Sequence, residues 1–121
     1  MTKKISTNKK IFDLEERTAR FGERVIEFCR NLIKNEITKP LINQLIKSAT
    51  SVGANYCEAD DAESKKDFKH KIGICKKESR ETKHFLRMIA TAVPNTKTDI
   101  KILWQEAKEL NLIFNKIFQK V

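Results

Sequence analysis

Two acid–histidine pairs are the residues of this chain whose types and spacing could bind a metal. Asp67 is followed by His70, and Glu81 by His84, in both cases three residues on. Glu-x-x-His pairs hold the metals of di-iron helical bundles, where the two pairs come from different helices and converge. Here both pairs fall in one predicted helix, 14 residues or about 21 Å apart, and point away from its apolar side. The chain has no other histidine, so the sequence predicts no metal site.

Catalysis by a nucleophile has no better support in the sequence. The three cysteines, Cys29, Cys57 and Cys75, form no C-x-x-C pair, and their odd number favours reduced, mostly buried thiols in a cytoplasmic protein. The histidines fall on a polar side of their helix, and no Gly-rich phosphate loop is present. We therefore expect a protein that is not an enzyme and that uses no cofactor.

A regular series of cations runs through the same helix. Seven positions are separated alternately by three and four residues, and six of them are cationic: Lys66, Lys69, Gly73, Lys76, Arg80, Lys83 and Arg87. This spacing places them along one flank of an α-helix, about 100° from its apolar side, whereas Asp67, Glu78 and Glu81 fall on the opposite flank. Like charges at these spacings repel, so an ordinary solvated face would intersperse acids. These six cations are called the basic stripe below.

Three explanations of the basic stripe stay open. It could bind nucleic acid, and because no base-reading motif is present, binding would then be directed to the backbone with low sequence specificity. It could be an ordinary solvated face. It could also pair with acidic surfaces of neighbouring subunits or partners, such as Glu58, Asp60 and Asp61 of another copy, as in a protein-interaction scaffold.

Four amphipathic segments must position these residues. Each has apolar side chains at alternating steps of four and three, typical of a helix that buries one face. Helix starts are predicted at Asp13, around Pro40, at Ser64, and at Thr96 or Thr98. Segments of roughly 22–27 residues with short connections predict an all-α, antiparallel up-down-up-down four-helix bundle over residues 13–121. Residues 1–12 are predicted to be a flexible basic tail.

Small and polar residues mark the expected helix contacts. Ala49, Gly53, Cys75 and Ser79 should let the second and third helices approach closely. A polar series on the second helix consists of Gln44, Ser48, Ser51, Asn55 and Glu58. It is either an exposed face or a close helix or subunit contact in which Ser51, Asn55 and Glu58 take part. The fourth apolar series runs from Ile100 to Val121, both predicted to point inward.

Two stretches of the chain carry a family resemblance. SATSVGANYCEADDAESKKDF and KIGICKKESRETKHFLRMI resemble the four-helix-bundle proteins named for reading frames in 23S rRNA intervening sequences. The matching positions are Ser51, Val52, Asn55, Glu58, Ala59, Ser64, Asp67 and Phe68, with Ala59 where many members have Gly. The resemblance implies a ring-like homopentamer. It also implies similarity to the accessory bundle protein of diversity-generating retroelements, which uses a basic surface toward nucleic acid.

The stripe and the resemblance together predict a cytoplasmic, non-enzymatic homo-oligomer that binds structured RNA or DNA, with RNA favoured. Lys66, Lys69, Lys76, Arg80, Lys83 and Arg87 are the expected nucleic-acid contacts. No apolar run approaches the roughly 20 residues that cross a bilayer, so no membrane partner is expected. No small-molecule substrate is evident.

Overall fold

Four α-helices and one short 3₁₀ turn make up residues 13–121, the part of the chain that the computed structural model describes. The elements are α1 (Leu14–Arg30), α2 (Thr38–Asp60), α3 (Lys65–Ala92), the turn Pro94–Thr96, and α4 (Lys97–Lys120). Short connections make consecutive helices antiparallel neighbours, and α4 returns to pack against α1. The predicted up-down-up-down four-helix bundle is confirmed, although α1, with 17 residues, is shorter than expected. The basic tail predicted for residues 1–12 lies outside the described residues.

The apolar series predicted from the sequence form the core. The largest side chains that are fully buried are Phe21 of α1 and Phe114 of α4, and the ring of Tyr56 reaches across from α2 to lie 6.0 Å from that of Phe114. The prediction for Val121 is wrong: its side chain is 47% exposed. This residue follows the end of α4 at Lys120 and so lies beyond the last turn that packs on the core.

Helix α3 begins as the sequence predicts. The backbone N–H of Asp67 donates to Ser64 Oγ at 3.0 Å, which satisfies one of the free N–H groups of the first turn. Asp13 also precedes the first helical residue of α1, but its side chain makes no capping hydrogen bond.

Helix α2 begins two residues ahead of Pro40, and its start depends on Asn35. The Oδ1 atom of Asn35 accepts hydrogen bonds from the backbone N–H groups of Ile37 and Thr38, both at 2.9 Å. In return, the Thr38 hydroxyl accepts from the backbone N–H of Asn35 at 2.9 Å and donates to the carbonyl of Ile33 at 2.7 Å. Pro40 therefore lies inside the first turn, where its missing N–H costs no helical hydrogen bond.

A polar layer crosses the middle of the bundle where α2, α3 and α4 meet. The hydroxyl oxygens of Ser48 on α2 and Thr82 on α3 lie 3.0 Å apart, in hydrogen-bond contact, and both residues are buried. On the other side of α3, the Asn111 amide of α4 donates to the carbonyl of Lys76 at 2.8 Å and to Ser79 Oγ at 3.2 Å. Short polar side chains therefore join three helices at one level.

The close approach of α2 to α3 uses some of the predicted small residues but not Gly53. Cys75 is completely buried, and its thiol lies 3.5 Å from the carbonyl of Val52, so α2 and α3 do pack tightly there. Gly53 faces α1 instead: a Cβ atom at this position would lie 3.3 Å from the Thr18 hydroxyl. The expectation that Gly53 serves the α2–α3 contact is therefore wrong, because it points to the other neighbour of α2.

The pairing of α1 with α4 is the least extensive contact in the bundle. Arg17 of α1 is its main polar link, and its guanidinium donates to both carboxylate oxygens of Glu106 at 2.7 and 2.9 Å and to Glu109 at 2.9 Å. The hydrogen bond to Glu106 is the principal reason that the pKa of Arg17 is raised. Toward the other end of α1, the two helices leave an open groove of about 820 Å³.

Candidate nucleic-acid interface

Helix α3 is continuous from Lys65 to Ala92, so it carries the whole basic stripe on one rod. From Lys66 to Arg87 the stripe is about 31 Å long. None of its six cations forms an ion pair with another residue of 13–121. The cation of α3 that does so is Lys71, which lies on the opposite flank and contacts Glu58 of α2 at 2.5 Å. The stripe therefore keeps its positive charge unneutralised.

The stripe divides into exposed and half-buried cations. Lys66, Arg80 and Arg87 are exposed, whereas the other three lie against aromatic rings of α4. Lys69 and Lys76 place their ammonium groups 4.8 and 4.4 Å from the centroid of the Phe118 ring. Lys83 lies 5.4 Å from the centroid of Trp104, and Lys108 of α4 itself lies 5.7 Å from the same ring. The face of an aromatic ring attracts a cation, and the lysine stems cover the apolar ring.

Gly73, the one uncharged position in the seven-residue series of α3, makes room for Phe118. A Cβ atom at Gly73 would lie 3.2 Å from the ring of Phe118, closer than an ordinary van der Waals contact. A shallow depression of about 400 Å³ opens here, lined by Phe118 and by basic side chains that include Lys66, Lys69 and Lys77. The break in the charge pattern is therefore a packing requirement of the α3–α4 contact.

Helix α4 contributes a second series that the sequence analysis missed. Its positions again alternate by four and three residues, and none is acidic: Lys97, Lys101, Trp104, Lys108, Asn111, Asn115 and Phe118. Trp104, Asn111 and Phe118 all contact α3, so the series borders the α3–α4 contact. The acids of α4 that bond Arg17 lie on the other flank, toward α1. The signal was present as a second acid-free row, but only the fold shows that the two rows are adjacent.

The two rows together form a surface with nine cations, called the basic face below. Its members are the six cations of the basic stripe and three exposed lysines of α4, Lys97, Lys101 and Lys108. Two half-buried rings of the α4 row, Trp104 and Phe118, lie against lysines of the α3 row. Such an arrangement can attract phosphates over a length of several nucleotides.

The polar residues predicted on α2 divide between contacts to α3 and hydrogen bonds within α2. The Asn55 amide donates to the carbonyl of Ser51 at 2.9 Å, within its own helix. Glu58 reaches α3 through its ion pair with Lys71, and Ser48 reaches α3 through the buried contact with Thr82. The contact of α2 with α3 therefore runs through Ser48 and Glu58, and Ser51 and Asn55 bond within α2.

The titratable residues weighed for catalysis are scattered. His70 and His84 are both exposed, and within residues 13–121 no group of three or more His, Cys, Asp or Glu side chains is placed to hold a metal ion. Burial raises the pKa of Cys29 to about 11 and that of Cys75 to about 12, whereas the third cysteine, Cys57, is exposed. No helix of the described residues is long and apolar enough to cross a membrane.

The sequence of this bundle matches a known family over nearly its whole length. A family model described as 23S rRNA-intervening sequence protein matches residues 11–116. The chain belongs to this family. The residues that the family model matches include the basic stripe, Trp104 and Lys108. The basic face therefore lies on the bundle that defines the 23S rRNA-intervening sequence proteins and not on an appended segment.

A solved structure agrees with the bundle. It is the crystal structure of a protein with unknown function from the S23 ribosomal protein family of Bacteroides thetaiotaomicron, with a TM-score of 0.78 and 26% sequence identity. The alignment covers 86% of this chain and 96% of that chain. Among curated proteins, no sequence matches this chain at a significant level.

Proposed function

We propose that this member of the 23S rRNA-intervening sequence protein family is a non-enzymatic protein that binds nucleic acid, RNA in preference to DNA, through the basic face. The observation that supports this most directly is the pair of acid-free rows on α3 and α4, whose stripe cations have no carboxylate partner within residues 13–121. Phosphates can therefore engage these cations without first displacing an acidic side chain.

Backbone contacts would dominate such binding. A duplex carries one charge per roughly 1.7 Å of its axis, so a face about 31 Å long meets more phosphates than it has cations. Since the face offers no base-reading motif, affinity should depend strongly on salt and weakly on sequence.

The test removes three exposed cations of the basic stripe. We expect the triple variant Lys66→Gln, Arg80→Gln, Arg87→Gln to bind RNA more weakly and to lower the slope of log affinity against log salt by about three, one for each lost phosphate contact. These residues are chosen because they make no cation–π contact with a ring of residues 13–121, so the packing of α3 on α4 stays intact. The measurement is fluorescence anisotropy of a labelled RNA at several salt concentrations.

A matched variant separates the organised face from net charge. Arg24→Gln, Lys39→Gln, Lys47→Gln removes three exposed cations from α1 and α2 and lowers the formal net charge of +9 equally. It should keep a salt slope close to that of the unmodified protein. Equal RNA affinity of the unmodified protein and the stripe variant, or equal losses in the two variants, would contradict the proposal.

We also propose that the protein is a cytoplasmic homo-oligomer, a homopentamer by the resemblance of its sequence. An exposed apolar side chain that lines the α1–α4 groove, Ile102 at 56% exposure, supports self-association. In the competing interpretation, the basic stripe pairs with acidic surfaces of other subunits or partners. The stripe variant would then lose its oligomeric state and keep its RNA affinity.

A further inference from the structure

Trp104 is the only tryptophan of the chain, and it lies in the acid-free row of α4. Its ring is half-buried, while the core positions beside it on α4 are filled by Leu103 and Ala107. The indole therefore packs against the core from outside and leaves part of its surface exposed beside the α3–α4 contact, next to Lys83 of the other row.

The ring is covered by lysines that have no carboxylate partner within residues 13–121. Lys83 approaches it from α3 and Lys108 from α4, at 5.4 and 5.7 Å from the ring centroid. By contrast, Lys71 on the other flank of α3 is held by Glu58. A phosphate binds an ammonium group more strongly than an aromatic face does. Two phosphates of a bound strand can therefore draw Lys83 and Lys108 outward and uncover the ring.

Phe118 is a second ring of α4 that is covered by two lysines. It lies 14 residues after Trp104, about 21 Å along α4, and is covered by Lys69 and Lys76. Each ring thus combines an aromatic surface with two cations. Proteins that bind single strands combine a positive groove with aromatic side chains on which bases stack. A duplex cannot use such rings, because its bases are already stacked inside.

We propose that the basic face binds single-stranded RNA, with a base stacked on Trp104 and the flanking phosphates on Lys83 and Lys108. The inference rests on the proposed nucleic-acid binding and adds to it the form of the nucleic acid and the aromatic contact. Phe118 is the second ring available to the same strand.

The single tryptophan gives a direct readout in the unmodified protein. Its fluorescence is followed while a 20-nucleotide oligo(U) is added, and separately while the same strand is added as a duplex with oligo(A). We expect oligo(U) to quench the emission and to bind more tightly than the duplex at equal salt. Tighter binding of the duplex, or saturation by oligo(U) without a change in Trp104 emission, would overturn the inference.

Substitutions of Trp104 test the stacking itself. Trp104→Leu should weaken oligo(U) binding about five- to hundredfold, the loss expected for one stacked base, and weaken duplex binding by a smaller factor. Trp104→Phe keeps an aromatic ring and should recover most of the affinity. Phe85→Leu, a half-buried aromatic of α3 beside His84, is the matched control and should bind oligo(U) normally.

The outcomes separate this inference from the proposed function. Circular dichroism checks that each variant is helical, and if Trp104→Leu does not fold, the emission of the unmodified protein and the Trp104→Phe variant decide. If Trp104→Leu folds and binds oligo(U) as tightly as the unmodified protein, while the stripe variant binds weakly, the proposed function stands and the stacking inference fails. If the unmodified protein binds neither RNA, both fail.

Discussion

Lys69, Lys76 and Lys83 show how one residue type serves two purposes on this bundle. Each carries a charge of the basic stripe, and each covers an aromatic ring of α4 with its stem. Arg80 and Arg87 are exposed and make no cation–π contact within the part of the chain that the structure describes. Removing an arginine of the stripe therefore tests charge alone, whereas removing one of these lysines also exposes apolar surface.

Cys75 gives a pH dependence of stability that can be predicted from its burial. Burial raises its pKa to about 12, above the value of roughly 8.5 in an unfolded chain. The buried thiol stays neutral in the folded protein. Its contribution to the free energy of unfolding is therefore complete below the pKa of the unfolded chain, and it is lost as the pH rises toward the pKa of the folded protein. We expect the free energy of unfolding to fall between about pH 9 and 12, by up to about 1.4 kcal/mol per pH unit from this residue.

The measurement is urea unfolding of the native protein and of Cys75→Ala at a series of alkaline pH values. The variant loses contacts at every pH, but the difference between the two stabilities should shrink as pH rises. Asn43→Ala, which alters an exposed side chain without a titratable group, should run parallel to the native protein. Parallel curves for Cys75→Ala would contradict the predicted burial of a neutral thiol.

At the scale of the helices, the start of α2 depends on one side chain outside it. Asn35 accepts two backbone hydrogen bonds at this end. We expect Asn35→Ala to destabilise the protein by about 1–2 kcal/mol, because at least one N–H group of the first turn loses its partner. Asn43→Ala, at an exposed position inside α2, should be neutral or slightly stabilising. Thermal unfolding measures both, and equal melting temperatures would contradict the cap.

The helices themselves could be predicted from the sequence, because apolar side chains recur at steps of three and four through all of them. The start of α3 at Ser64 could also be predicted, because the capping-box spacing of Ser64 and Asp67 is local in the sequence. Asn35 could not, since its neighbour Pro40 gave the stronger start signal. The orientation of Gly53 toward Thr18 of α1 depends on which neighbour of α2 lies on that side, which local periodicity does not encode.

Only the α3 half of the candidate site could be predicted from the sequence. The stripe of α3 is visible as spacing along one helix, and the structure adds that none of its cations is paired within residues 13–121. The α4 row has the same spacing, with Lys101 and Lys108 at a seven-residue interval. The sequence does not show that this row lies beside the stripe of α3, because the bundle decides which helix flanks are neighbours. The structure shows it, since Trp104 and Phe118 pack on α3.

At the scale of the whole molecule, the bundle is uneven. The α1–α4 edge has the least extensive contact and an open groove, and the exposed apolar side chain of Ile102 lines that groove. In the proposed homo-oligomer, a second copy of the chain would occupy this groove. Light scattering after gel filtration should give a mass of five times the 14.1 kDa of one chain if the homopentamer forms.

Ile102→Asp tests whether this edge takes part. A carboxylate placed in an apolar interface would be desolvated without a partner, so the variant should elute as a smaller species. Leu112→Asp introduces the same charge at an exposed apolar position of α4 that does not line the groove, and should keep the mass of the native protein. A monomeric native protein would contradict the proposed assembly.

The amide contacts of Asn111 at mid-height also set how α3 and α4 are aligned. Sliding α4 along α3 by a turn, about 5.4 Å, would separate the Asn111 amide from its two acceptors on α3, at a cost of about 0.5–1.5 kcal/mol for each lost hydrogen bond. The two rows of positive charge are consequently held in phase, with Lys83 opposite Trp104 and Lys76 opposite Phe118. The spacing that a bound strand would meet is thus determined inside the protein, well away from the residues that it would touch.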